Sequence, residues 1–61
     1  MPHGDTTEVR CNSIGAETAK AVLIETADGR DVWVPWSQVT EIHREELRVV
    51  VATWFANKED L

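Results

Sequence analysis

Between Ala19 and Val39, two apolar runs flank an Asp-Gly pair, Asp28-Gly29, and the second run carries Trp33, Pro35 and Trp36. Apolar, β-branched runs split by Asp-Gly are a strong short-range signal for a β-hairpin. Glycine takes positive φ without steric cost, and aspartate tolerates it better than most residues. With Asp28 and Gly29 as the two central residues, the spacing predicts a type I′ turn. It joins a strand from Ala19 to Thr26 to one from Arg30 to Val34. This register sets Ala27 opposite Arg30, Glu25 opposite Val32, Ile24 opposite Trp33 and Leu23 opposite Val34. One face then carries Ala21, Leu23, Val32 and Val34. The other carries Val22, Ile24 and Trp33. A sheet with one solvated face is polar on that side, so a hairpin apolar on both faces calls for a cover over the second.

The rest of the chain supplies short strands and one candidate cover. In Thr6 to Ile14 a partial alternation puts Val9 and Cys11 on one side, and Glu8, Arg10 and Asn12 on the other. This is a first strand, followed by a loop from Gly15 to Thr18. Pro35 lacks an amide hydrogen and ends the third strand, and Trp36 to Val39 is expected to make one turn of 3₁₀ helix. Thr40 to His43 and Leu47 to Ala52 are expected as the last two strands, with Leu47, Val49 and Val51 on one face. A helix over Glu41 to Phe55 competes, but three successive valines favour strand. Thr53 is a candidate N-cap for a short helix from Trp54 to Asp60. Two turns are marginal in isolation, so Trp54 and Phe55 are expected to anchor it across the second hairpin face.

The fold class that follows is mainly β: a small five-stranded, barrel-like meander with a short C-terminal helix. Residues 1–5 are expected to be a flexible start and residues 6–61 a single domain. A domain this small buries only about 60% of the surface its unfolded chain exposes. The three tryptophans therefore supply a large share of the available burial.

Six basic against eleven acidic side chains leave a formal net charge of −5. No run of Lys or Arg exists to neutralise phosphates, which counts against nucleic acid as the main partner. Cys11 is alone, so no disulfide forms within the chain, and His3, His43 and Cys11 lack metal-ligand spacing. No cofactor and no metal are expected. A lone cysteine without a signal peptide points to a reducing cytoplasm, and no apolar run approaches the roughly 20 residues of a membrane helix.

Few residue groups suggest chemistry. Glu41, His43 and Glu45 share one face of a strand, and a carboxylate beside an imidazole can serve acid–base or metal chemistry. The series has no nucleophile or third ligand, so a solvated face outweighs it. Cys11 is expected as a small core residue. Trp33 and Trp36 offer an aromatic surface for stacked bases or for a protein hot spot. Trp33 is expected beneath the C-terminal helix. Trp36, in a turn after Pro35, is the better candidate for contact.

Two resemblances add expectations. Val34-Pro35-Trp36-Ser37-Gln38-Val39 resembles the 3₁₀ turn and last strand of a Src-homology-3 domain, over about six residues. Gln38 stands where that family has its ligand-binding Tyr, and the family's acidic loop is missing. The resemblance implies barrel geometry rather than proline-peptide binding. Over Glu17 to Leu61 the chain is similar to short proteins of phages and mobile elements. The shared features are Lys20-Ala21, Asp28-Gly29-Arg30, Trp33 with Pro35 and Ser37-Gln38, and a closing Trp54-Phe55-Ala56. Trp36 replaces a common Lys. That likeness implies an origin, a location in the host cytoplasm and a fold shape, but no mechanism.

The functional expectation is a non-enzymatic module that binds a protein partner. The candidate contact residues are Trp36, Trp33, Arg30, Ser37 and Gln38. Self-association is a second expectation. The alternatives are weak binding of single-stranded nucleic acid on an exposed Trp, or acidic inhibition of a host nucleic-acid-binding protein.

Overall fold

The computed structural model describes residues 5–61. His3 and nearly all of the expected flexible start lie outside the described residues. Five antiparallel strands form one sheet: β1 (Thr6–Glu17), β2 (Ala21–Thr26), β3 (Asp31–Pro35), β4 (Val39–His43) and β5 (Arg48–Ala52), with a 3₁₀ turn at Trp36–Gln38 and a closing helix α1 (Thr53–Lys58). The strand order is β3-β2-β1-β5-β4. β3 and β4 are thus the end strands, and among the described residues no ladder joins them.

β1 runs three residues beyond the expected end and serves both halves of the sheet. Its first half, Thr6 to Arg10, pairs with β5, and its second half, Cys11 to Glu17, pairs with β2 through two register shifts. Such irregularities bend a strand and increase its twist. Both halves turn their inner faces to one core of Val9, Cys11, Val22, Ile24, Val32, Val34, Val49, Val51, Phe55 and Ala56. The alternation of β1 is as expected: Val9 and Cys11 are buried, and Glu8, Arg10 and Asn12 are exposed. Residues 41–52 are strand rather than helix, apart from the turn between β4 and β5.

The β2–β3 hairpin forms where expected but in a different register. The pairs are Ala21↔Pro35, Val22↔Val34, Leu23↔Trp33, Ile24↔Val32 and Glu25↔Asp31. The cause is the turn. Gly29 N donates to Thr26 O at 2.9 Å, Thr26 N donates to Arg30 O at 2.7 Å, and Gly29 alone in the loop has positive φ, +90°. A type I′ turn needs positive φ at both central residues. This loop instead has three residues, Ala27-Asp28-Gly29, in the pattern of a type I turn whose last residue makes a glycine bulge. Thr26, itself buried, holds the geometry: its hydroxyl bonds Asp28 Oδ1 and accepts from Arg30 N at 3.1 Å.

One extra loop residue moves every β3 side chain to the other face relative to β2. Val22, Ile24, Thr26, Val32 and Val34 are all buried together, and Trp33 is turned outward. One hairpin face is the core, and the other, with Ala21, Leu23, Trp33 and Pro35, is apolar away from the turn and is left partly exposed instead of covered.

Helix α1 differs in detail from its expectation. It packs on β1 and β5 and sends Phe55 and Ala56 into the core, while Trp54 is 57% exposed. Trp54 meets Phe55 edge to face, with ring centroids 5.9 Å apart. Thr53 is the first helical residue rather than the cap. Ala52 takes the cap position, and the Thr53 hydroxyl bonds the Thr7 hydroxyl at 2.8 Å. At the other end Asp60 adopts φ +59°, and Leu61 N donates to Ala56 O at 2.8 Å. That is the Schellman arrangement, with Asp in the place glycine favours.

Candidate functional site

The five residues singled out by sequence are spread along β3 and past both of its ends. Arg30 precedes the strand and Trp36 follows it, some six extended residues or about 20 Å apart. Arg30 is occupied within the chain. Its Nε bonds Asp28 Oδ2 at 3.1 Å, and its two terminal nitrogens donate to Glu59 O at 3.2 Å and Asp60 O at 2.8 Å. It fastens the hairpin turn to the end of α1. A cleft of about 290 Å³ lies beside this clamp, lined by Arg10, Thr26, Asp28 and Asp60 among others. The Thr26 hydrogen bond, helped by the Arg30 charge, holds the Asp28 carboxyl below its ordinary range.

Trp36 is also engaged. It is half-buried against the core, its backbone N donates to Lys20 O at 2.9 Å, and its indole Nε1–H donates to Thr18 O at 2.9 Å. Thr18 closes the β1–β2 loop by accepting from Lys20 N and Ala21 N through its hydroxyl. Trp36 therefore pins that loop to the 3₁₀ turn. Beside it Ser37 is exposed and Gln38 half-exposed.

Trp33 is the opposite case. It lies at the middle of an end strand, 49% exposed, on the outer face. The outer face of the hairpin is a ladder of three cross-strand pairs: Ala21 with Pro35, Leu23 with Trp33, and Glu25 with Asp31. Glu25 and Asp31 place two carboxylates directly opposite each other, which is unfavourable in a sheet. Neither takes part in a salt bridge among the described residues. Asn12 Nδ2 approaches Glu25 Oε2 at 3.4 Å and is uncharged. Leu23, Glu25 and Asp31 were not singled out by sequence, because the two-residue turn put Glu25 opposite Val32.

On the other charged face the carboxylates Glu8, Glu41 and Glu46 have partners within the chain, while Arg10 stands directly opposite Arg48. On β1, β5 and β4 the row Arg10–Arg48–His43 lies beside the row Glu8–Val50–Glu41. Arg48 bridges Glu8 at 2.5 Å and Glu46 at 2.6 Å, and His43 Nε2 meets Glu41 Oε1 at 2.8 Å. The Arg48 hydrogen bond and charge hold the Glu46 carboxyl below its ordinary range. Arg44 pairs with Glu17. The Glu41–His43 pair is thus an exposed hydrogen-bonded contact on a solvated strand. Among the described residues no group of three His, Cys, Asp or Glu is placed to hold a metal ion. Cys11 is a buried free thiol whose pKa burial pushes up, as expected of a core residue. Among the described residues no helix is long and apolar enough to cross a membrane.

No known protein family, curated protein or solved structure matches the chain. The geometry of the outer hairpin face therefore carries the functional argument alone.

Proposed function

We propose that the chain is a non-enzymatic interaction module that binds a protein partner through the outer face of the β2–β3 hairpin, with Trp33 at its centre. The observation that carries this reading is a half-exposed tryptophan, paired with Leu23, in the middle of an end strand. Tryptophan is the residue most enriched at binding hot spots. Pro35 leads directly into the 3₁₀ turn, so Ser37 and Gln38 form a polar rim at one end of the face. Trp36 contributes by holding that rim in place.

Base stacking on Trp33 is the weaker reading. Glu25 and Asp31 sit beside the indole and repel phosphate, and single-strand binders surround their aromatics with cations. An origin in a phage or mobile element, and a place in the host cytoplasm, belong to the same proposal. They rest on the resemblance of Glu17 to Leu61 and on the lone cysteine.

Retention of a host protein on immobilised chain tests the reading. The wild type retains a discrete protein at moderate salt, and Trp33→Ser loses it while its thermal midpoint stays close to wild type. Retention that survives Trp33→Ser, or no retention at all, contradicts the reading.

A further inference from the structure

We infer that the partner presents a cationic side chain, Arg or Lys, that seats against the Trp33 indole and is held by the Glu25 and Asp31 carboxylates. This rests on the reading of the hairpin face as a protein-binding surface and names the chemistry of what it takes.

Three observations converge. The first is the unpartnered sheet face itself, where Leu23 and Trp33 stand side by side with Trp33 49% exposed. The second is the like-charge pair. Glu25 and Asp31 are one step along the same ladder from Leu23 and Trp33, about 7 Å along each strand, and directly opposite each other. Elsewhere the outward carboxylates have partners within the chain: Arg48 bridges Glu8 and Glu46, Arg44 bridges Glu17, and His43 hydrogen-bonds Glu41. The third is the placement of the nearest cation in sequence. Arg30 adjoins Asp31 but is turned to Asp28 and to the carbonyls of Glu59 and Asp60. The face therefore presents two carboxylates and an aromatic ring with no counter-charge bridged to them among the described residues. An aromatic face attracts a cation through its quadrupole, and flanking carboxylates add the Coulomb attraction that such a cation needs.

The same charges argue against a second copy of this chain. A two-fold dimer brings a patch against itself, so a dimer with its axis near Glu25 and Asp31 sets these carboxylates against their copies, and one with its axis at Trp33 offers them only the Ala21–Pro35 end of the face. Like charges brought together across an interface suppress association.

The test is a titration of the isotope-labelled chain with end-blocked hexapeptides, following the Trp33 indole N–H resonance. The probes are a Gly-Arg repeat, a Gly-Glu repeat and a Gly-Leu repeat. The Gly-Arg peptide is expected to shift the Trp33 signal saturably, and the Gly-Glu peptide to leave it unmoved. The double variant Glu25→Gln, Asp31→Asn removes the repulsion and so keeps the fold. It should bind the Gly-Arg peptide about tenfold more weakly. No shift with Gly-Arg, or an equal shift in the double variant, overturns the inference. A Trp33 shift that depends on protein concentration alone seats a second copy on the face and also overturns it. Equal binding of Gly-Leu and Gly-Arg overturns the cation and leaves the protein-binding reading standing. The retention experiment with Trp33→Ser decides that reading separately.

Discussion

Two hairpins hang from β1, and they treat surface charge in opposite ways. Around the β4–β5 hairpin, Arg48 pairs with Glu8 and Glu46, His43 with Glu41, and Arg44 reaches Glu17 at the far end of β1. The β2–β3 hairpin sets Glu25 against Asp31 and puts Trp33 beside them. Their turns differ too. The β2–β3 loop has glycine at its positive φ, and the β4–β5 loop has Leu47 at φ +54°. The first hairpin has a relaxed turn and an unsatisfied face. The second has a strained turn and a face on which Glu8, Glu41 and Glu46 are partnered. The opposed carboxylates beside an exposed tryptophan are the basis for proposing this face as the binding surface.

Both hairpins share one core, so the largest effect is common to them. Ile24→Ala on β2 is expected to cost about 2–5 kcal/mol, enough to unfold much of so small a domain. Circular dichroism during urea titration measures it, and simultaneous loss of both hairpins is the expected outcome. Melting of β2–β3 alone, seen residue by residue in hydrogen exchange, would divide the core in two.

The turns give the next effect. Gly29→Val puts a β-branched residue at φ +90° and is expected to cost at least about 1–3 kcal/mol. Leu47→Gly relieves strain in the other turn and is expected to be neutral or stabilising by up to about 1 kcal/mol. Chemical denaturation of the two variants side by side checks the opposite signs.

Charge gives smaller effects. Asp31→Lys turns the repulsive pair into an attractive one and is expected to stabilise the fold by about 0.2–1 kcal/mol, measured as a rise in thermal midpoint. Acid probes the turns in both hairpins. Asp28 and Glu46 have folded pKa values below their ordinary ones. Their contribution is therefore full above about pH 4, the ordinary carboxylate range, and is lost as pH falls through the lower folded values. Asp28→Asn should flatten that acid dependence, and thermal midpoints taken along a pH series report it.

Much of this architecture is legible in the amino-acid sequence where side chains alternate cleanly. Val9 and Cys11 on β1, and Val49 and Val51 on β5, announce their buried face without further information. The position of the β2–β3 turn is equally plain, but its type is not. Asp28-Gly29 fits the centre of a two-residue loop and also the end of a three-residue one. The choice falls to Thr26, whose hydroxyl reaches both Asp28 and Arg30. The exposure of Trp33 follows from that choice, which is why its burial under the helix was the natural expectation. Trp36 is held by Thr18, a contact between two loops with no local signature. Between Trp54 and Phe55, adjacent aromatics at a helix start, only the direction of the chain leaving β5 decides which one enters the core.

The register of the β2–β3 hairpin is the central claim, because the exposed Trp33 and the opposed carboxylates both depend on it. Nuclear Overhauser contacts across the hairpin measure it directly. The account predicts contacts of Leu23 with Trp33 and of Ile24 with Val32. Contacts of Ile24 with Trp33 and of Leu23 with Val34 would turn Trp33 into the core and contradict it.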